Sequence, residues 1–145
     1  MLTQKDYCDY DTCVALKELG YKVPTSAYYI QNDTTLYFVS NPFRGGYVID
    51  CFYSHNSLRE GVVTSNYIDA PTMWEAQKWL RENHNIHIST KPYPNEGGLM
   101  WMFEIRRFSP YLVSVIVNKT GFYDSEEALL EGIKATVKIL KEEKK

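Results

Sequence analysis

The chain has 145 residues, of which 44% are hydrophobic and 23% charged, which is the size and composition of a folded globular protein rather than a disordered one. Its formal net charge is −2, and neither half carries the clear basic excess that neutralising phosphate groups requires, so charge argues against nucleic-acid binding. No apolar run approaches the roughly 20 residues that span a bilayer, and the N-terminal stretch MLTQKDYCDYD turns polar where a signal peptide has its apolar core. We therefore expect a cytoplasmic protein with no membrane partner.

The first half of the chain is predicted to have α-β-β-β order. A helix is expected over residues 11–20, because Asp9 or Asp11 can cap its start and Gly20 is a natural stop. The apolar residues expected to share one face of this helix are Val14, Ala15 and Leu19. Segments rich in aromatic and β-branched residues then predict an antiparallel meander of three strands: SAYYIQ (26–31), TLYFVS (35–40) and YVIDCFYS (47–54). Residues 55–69 have weak periodicity and are expected to connect the two halves.

The second half begins with a strong helix signal. Thr72 and Glu75 match the Ser/Thr-x-x-Glu capping box, in which each of the two side chains accepts a hydrogen bond from the backbone of the other residue. The helix is expected to end near residues 83–84, since the next six residues, NIHIST, alternate between apolar and polar as a strand does. The apolar stripe of this helix consists of Met73, Ala76, Trp79 and Leu80.

Two further strands and a helix complete the second half. The strands are LMWMFEIRRF (99–108) and LVSVIVNK (112–119), preceded by a loop over 92–98 that is rich in proline and glycine. A final helix is predicted over 123–145, where Asp124 and Glu127 offer a second capping box. Its apolar stripe is Leu129, Ile133, Val137 and Leu140.

These elements predict an α+β fold with antiparallel sheet and three helices. The chain is expected to form a single compact unit over 1–145, and it can be subdivided into an α-β-β-β half (1–66) and an α-β-β-β-α half (70–145). The first helices of the two halves share the pattern Ala-x-Lys-x-Leu, beginning at Ala15 and Ala76, which leaves open a duplication of two similar halves.

The α-β-β-β-α order of the second half is that of double-stranded-RNA-binding domains. In that family the last helix begins with a lysine cluster that binds phosphates across the groove. Here Asp124, Glu126 and Glu127 occupy that helix start, so the chief phosphate contact of the family is inverted. The likeness is therefore one of element order only.

The sequence contains no pattern typical of a catalytic or metal site. His84 and His87 are three residues apart, but a zinc site needs three or four ligands, and a helix-to-strand boundary between the two imidazoles would keep them off one helical face. The chain has neither a nucleophile elbow nor a phosphate-binding glycine loop, and its cysteines are expected to be buried or idle reduced thiols: Cys8, Cys13 and Cys51. We therefore predict a non-enzymatic protein with no cofactor and no metal.

The strand LMWMFEI is apolar on both faces, which predicts either coverage on both sides or one exposed surface for a partner. Arg106 and Arg107, which could form a small basic and aromatic surface with Arg44, Lys91 and Trp101, are adjacent on this strand and are expected to face opposite sides. The residues predicted as candidates for binding a partner are Trp101, Phe103, Arg106, His87 and Tyr93.

Several short motifs together resemble a known set of proteins. These motifs are PT, WLRE, HNIHI and PYP within residues 71–94, Tyr123 with SEEALLEGIK at 125–134, and TCVALKELGYKVPTSAYY at 12–29. They resemble small uncharacterised proteins encoded by phages, prophages and mobile elements of gut Bacteroidales. The resemblance implies a bacterial or phage cytoplasmic setting and an accessory role in the contest between phage and host.

The function expected from these observations is that of a non-enzymatic binding or accessory protein that acts through protein–protein contacts, with another protein or as a homodimer. The high tyrosine content, 12 residues, also suits a binding surface. Two alternatives remain open: nucleic-acid binding through the α-β-β-β-α half, and binding of a small nucleotide-like ligand between aromatic side chains.

Overall fold

A computed structural model of the chain describes residues 3–38 and 67–144, which belong to a first unit, Met1–Thr72, and a second unit, Met73–Lys145. Among the described residues the fold is α+β with three α-helices and antiparallel sheet, as predicted. The strands form two three-stranded sheets. None of the described helices combines the length and the apolar content that crossing a bilayer requires.

The first unit begins with a 3-10 helix (Gln4–Asp6) followed by α1 (Tyr10–Glu18). Of the two predicted caps, Asp9 is the one used, since its carboxylate accepts a hydrogen bond from the Thr12 amide at 3.0 Å. Gly20 has a φ of 102°, the left-handed conformation that closes a helix, so the predicted stop is also confirmed. The buried face was predicted incompletely: Leu19 is buried, Val14 and Ala15 are only half-buried, and the remaining buried residues are Thr12, Cys13 and Leu16.

The sheet of the first unit contains β1 (Ala27–Ile30), β2 (Tyr37–Phe38) and β3 (Tyr67–Asp69), in the order β2-β1-β3. The first two strands lie in predicted segments and pair antiparallel. The prediction of a connection over 55–69 is wrong for β3, which pairs antiparallel with β1 in a segment too short to show periodicity. The strand predicted over 47–54 and the rest of the predicted connection lie outside the described residues.

The second unit begins with α2 (Met73–His84), which starts directly after Thr72, and its four predicted stripe residues are all buried. The helix ends where Asn85 adopts a φ of 56°, a left-handed conformation that asparagine tolerates well. The chain continues into β4 (Ile86–Asn95), whose first buried residues, Ile86 and Ile88, alternate with the half-buried His87 as predicted.

Three strands form the second sheet in the order β4-β5-β6, with β5 (Gly98–Ser109) in the centre and β6 (Leu112–Phe122) at one edge. The predicted loop over 92–98 is wrong for most of its length, because β4 continues through both prolines to Asn95. A two-residue turn at 96–97 then leads into β5. The register between β5 and β6 shifts twice, so that Ile116 and Gly121 are extra residues of β6.

The final helix, α3 (Ser125–Glu143), packs on one face of the second sheet. Asp124 caps it by accepting a hydrogen bond from the Glu127 amide at 2.7 Å, while the Glu127 carboxylate accepts one from the Tyr123 amide at 3.2 Å. In the predicted capping box the Glu127 carboxylate would accept from the Asp124 amide. In the structure its donor is the amide of the preceding residue, Tyr123. The predicted stripe is buried, and its residues are Leu129, Ile133, Val137 and Leu140.

Candidate functional site

Cross-strand register separates the two faces of the second sheet. Ile88 lies opposite Ile105 and Thr90 opposite Phe103, on the face that α3 covers. The opposite face, here called the far face, carries the even-numbered residues of β5 together with their cross-strand neighbours. The pairs on the far face include His87 with Arg106, Ser89 with Glu104, Tyr93 with Met100, Val115 with Arg106, and Val113 with Phe108.

An ion-pair network occupies the middle of the far face. Glu104 has only 11% of its side chain exposed, and its Oε2 atom accepts hydrogen bonds from Arg106 Nη2 at 2.9 Å and from Lys91 Nζ at 3.5 Å. Burial acts to raise the pKa of Glu104, but the hydrogen bonds and positive charges of Arg106 and Lys91 outweigh it and place the pKa below its ordinary value. The carboxylate is therefore ionised, and it neutralises much of the positive charge on this face.

His87 lies beside this network. Its ring centroid is 6.4 Å from that of Phe108, and its Nδ1 atom is buried without a hydrogen-bond partner among the described residues. Burial lowers the pKa of His87 below its ordinary value, and the positive charges of Arg81 and Arg106 lower it further. The imidazole is therefore neutral near pH 7 and contributes an apolar ring to the far face.

Exposed apolar side chains gather at the end of the sheet where β5 turns into β6. The turn at 110–111 joins the strands, and five side chains around it are between 36% and 98% exposed. We call them the hairpin cluster: Phe108, Tyr111, Leu112, Val113 and Val115. Phe108, Val113 and Val115 share the far face, Leu112 lies on the other face, and Tyr111 lies in the turn. Exposed apolar clusters are uncommon on monomeric proteins and mark interaction sites.

The two edges of the second sheet differ in their free backbone groups. The Phe108 amide donates to the Asn85 carbonyl at 2.8 Å, so even-numbered residues of β5 direct their backbone groups toward β4. The residues of β6 that lie opposite them, Val113 and Val115, therefore direct their N–H and C=O groups away from the sheet. No strand pairs with this edge of β6 within the described ranges.

The β4 edge, by contrast, is capped. The same alternation directs the backbone of Ile88, Pro92 and Pro94 toward the outside of the sheet. Proline has no N–H group to leave unpaired, and the Ile88 carbonyl accepts a hydrogen bond from the Gln77 side-chain amide of α2. This alternation also explains why two prolines are tolerated within β4.

The structure divides the predicted binding residues between the two faces. Arg106, His87 and Tyr93 lie on the far face, whereas Trp101 and Phe103 lie on the face that α3 covers. Phe103 is 2% exposed, and its ring centroid is 5.7 Å from that of Phe122, so it belongs to the core. Arg106 and Arg107 face opposite sides as predicted, and Arg107 forms an ion pair with Glu143 of α3 at 2.8 Å.

The hairpin cluster was missed by the sequence interpretation, which took LVSVIVNK only as a strand. Its signal was present, because Val113 and Val115 alternate in a stretch that carries no charge before Lys119. Natural proteins usually place charge or proline on edge strands, and the absence of both from residues 112–118 is the feature that indicates a binding edge.

The two histidines of the HNIH stretch do not form a site. His84 ends α2 with its ring 5.0 Å from that of Trp79, and burial followed by the nearby Lys144 lowers its pKa. His87 lies beyond the left-handed Asn85, on the far face of the sheet. In the part of the chain that the structure describes, no three His, Cys, Asp or Glu side chains come together as metal ligands.

The first unit contains a buried thiol pair and a group of tyrosines. Cys8 and Cys13 are free and buried, as expected, and burial is the main cause that raises the pKa of Cys13, which makes its thiol unreactive. Cys51 lies outside the described residues. On the sheet, the ring of Tyr28 stacks on that of Tyr37 at 5.6 Å and meets that of Tyr67 edge-on at 5.5 Å.

No family model, curated protein or solved structure gives a significant match to the chain.

Proposed function

We propose that this chain is a non-enzymatic binding or accessory protein that acts through protein contacts made by the hairpin cluster. The observation that carries the proposal is the exposure of five apolar side chains around one turn of the second sheet. With typical side-chain areas, the exposed parts of these five side chains sum to on the order of 500 Å². Covering this area with a protein partner removes apolar surface from water and favours association.

The chemistry of the neighbouring far face supports a protein partner rather than an ionic ligand. Glu104 offsets one of the two positive charges of Arg106 and Lys91, and His87 is uncharged near pH 7, so this network leaves the far face with a single excess positive charge. The resemblance described for residues 12–29, 71–94 and 123–134 adds a setting to this proposal: an accessory protein of a phage or mobile element in the bacterial cytoplasm.

A photo-crosslinking experiment tests the proposal at single-residue resolution. The photoreactive residue p-benzoylphenylalanine would replace Tyr111 of the hairpin cluster, which is 98% exposed, and separately Tyr123, which is 81% exposed and follows the far end of β6. In cells that express the chain, position 111 is expected to yield discrete protein adducts and position 123 none. The absence of adducts from position 111, or the same adducts from both positions, would contradict the proposal.

A second candidate function, nucleic-acid binding, is favoured by the α-β-β-β-α order of the second unit, which matches double-stranded-RNA-binding domains. Against it stand Asp124, Glu126 and Glu127, all at the first turn of α3, where a phosphate contact would be made. Filter binding of double-stranded RNA over a salt series decides between the two, since nucleic-acid binding requires affinity that rises steeply as salt is lowered.

The tyrosine group of the first unit favours a third candidate, a small ligand with a nucleotide-like aromatic ring. Tyr28, Tyr37 and Tyr67 bring three rings together on one sheet, and aromatic faces of this kind stack on planar ligands. Thermal-shift screening against nucleosides and nucleotides is the test, because a ligand that binds only the folded state raises its melting temperature. A Tyr28→Leu variant that keeps the full shift would exclude this group as the site.

A further inference from the structure

We infer that the protein bound by the hairpin cluster is a second copy of this chain, which pairs antiparallel with the edge of β6 that has no partner strand among the described residues, to form a symmetric dimer. This inference rests on the proposed function and names its partner. The first observation that supports the dimer concerns backbone groups: Val113 and Val115 each direct one N–H and one C=O group away from the sheet. An added strand satisfies such groups directly.

The two edges of the sheet are not equivalent, which selects β6 as the place of pairing. Pro92 and Pro94 deny donors to any strand that approaches β4, and the Gln77 side chain already occupies the Ile88 carbonyl. The corresponding part of β6 contains neither proline nor charge from Leu112 to Asn118. One edge is thus protected against strand addition, and the other accepts it.

The stretch Leu112–Val115 is complementary to itself. In an antiparallel pair centred on Ser114, Val113 of one copy lies opposite Val115 of the other, and both have outward backbone groups. The two copies then exchange four backbone hydrogen bonds and place four valines together on the far face, beside the two Phe108 rings. The extra residue Ile116 ends the regular part of the strand, which fixes the extent of the pairing.

The area available is sufficient for a dimer. The hairpin clusters of two copies together offer roughly 1,000 Å² of exposed apolar surface, which is about the minimum for a specific interface, and strand pairing adds backbone area. Because the same patch is used by both copies, the symmetry is a closed two-fold, and assembly stops at the dimer.

Sedimentation velocity of the purified full chain over a wide range of concentration tests this inference. Two variants change the interface in different ways. Val113→Lys introduces a pair of like charges near the axis, and Val115→Pro removes an outward N–H group to which no described strand pairs. Leu99→Lys is the matched control, because Leu99 is 63% exposed and lies at the opposite end of β5. The melting temperature of each variant establishes that it is folded.

The wild type and Leu99→Lys are expected to sediment as dimers with the same dissociation constant, and both β6 variants to weaken the dimer at least tenfold. A wild-type chain that is monomeric at every concentration, or a dimer that persists in both folded β6 variants, would overturn the inference. The crosslinking experiment distinguishes a failure of the dimer inference from a failure of the proposed protein-binding function. Adducts of position 111 with a different protein, together with a monomeric chain, leave the proposed function standing and remove the dimer.

Discussion

Gly132 of α3 and Ile88 of β4 are packed so closely that a Cβ atom added to the glycine would lie 2.6 Å from the Ile88 Cγ2 atom and 3.3 Å from the Phe103 ring. Real Cβ atoms do not approach other heavy atoms to 2.6 Å, and both neighbours are fully buried, so neither can move aside easily. The helix thus reaches its distance from the sheet only because this position has no side chain. The Thr136 hydroxyl, which donates to the Gly132 carbonyl at 2.9 Å, is buried at the same contact.

Gly132→Ala is therefore expected to destabilise the protein. In an exposed helix the change would be favourable by about 1 kcal/mol, but here overpacking of about 1–3 kcal/mol opposes it and is expected to win. The free energy of unfolding in urea measures the balance. Gly97→Ala is the matched control, since its added Cβ meets no heavy atom within 4 Å, and its stability should equal or slightly exceed that of the wild type. A Gly132→Ala variant more stable than the wild type would contradict the close packing.

Asp124→Ala is expected to destabilise α3 by about 1 kcal/mol, because the Glu127 amide loses the acceptor that lies 2.7 Å away. Asp124→Ser keeps a capping oxygen and should retain most of the stability. Chemical denaturation of the three proteins compares these effects. Equal losses in the alanine and serine variants would show that the negative charge, rather than the cap, is what matters.

Glu104→Gln is expected to lower stability on the order of 1 kcal/mol near neutral pH, because Lys91 and Arg106 lose the charge between them. The pKa of Glu104 is lower in the folded protein than its ordinary 4.5, so the unfolded chain binds the proton more tightly. The stability from this group is present above pH 4.5 and is lost as the pH falls through the folded pKa. The free energy of unfolding should therefore fall less steeply with decreasing pH in the glutamine variant than in the wild type, which urea unfolding at a series of acid pH values measures.

The histidines predict a second acid dependence at higher pH. Burial, followed in His87 by Arg81 and Arg106, lowers the pKa of both His84 and His87 below the ordinary 6.5. The unfolded chain therefore takes up protons first as the pH falls below 6.5, and the free energy of unfolding decreases until the folded pKa values are reached.

His87→Leu is expected to remove part of this decrease and to stabilise the protein at neutral pH by about 1 kcal/mol, since it removes a buried Nδ1 atom that has no hydrogen-bond partner among the described residues. Urea unfolding at a series of pH values between 5 and 8 checks both effects. A wild-type stability that is flat across this range, or one that the leucine variant does not alter, would contradict the burial of the imidazole.

Local signals in the sequence predicted most of the helices. Asp9 and Asp124 cap helices where the sequence places them, and Gly20 ends α1, because capping depends on residues that are close in the chain. Alternation along β5 likewise assigned its side chains to two faces. The prediction failed where proline was taken as evidence for a loop, since an edge strand tolerates Pro92 and Pro94 at outward positions.

Identifying the candidate surface required tertiary contacts, which no local sequence pattern reveals. Which face of β5 is covered follows from the close contact of Gly132 with Ile88, and this contact places Phe103 in the core, on the opposite face from Arg106. The register shift at Ile116 and the capping of the β4 edge by Gln77 are also products of tertiary packing. The sequence therefore predicted an apolar strand but not which edge of the sheet has no partner strand in the described ranges.

The order of elements in the second unit has a consequence for biosynthesis. Two-residue turns join β4 to β5 and β5 to β6, so these strands can pair as soon as they leave the ribosome. The helix that covers Ile88, Phe103 and Ile105 is synthesised only afterwards. Until α3 emerges and docks, the nascent sheet exposes this apolar face to water, and exposed apolar surface of this kind makes a partly folded chain prone to aggregation.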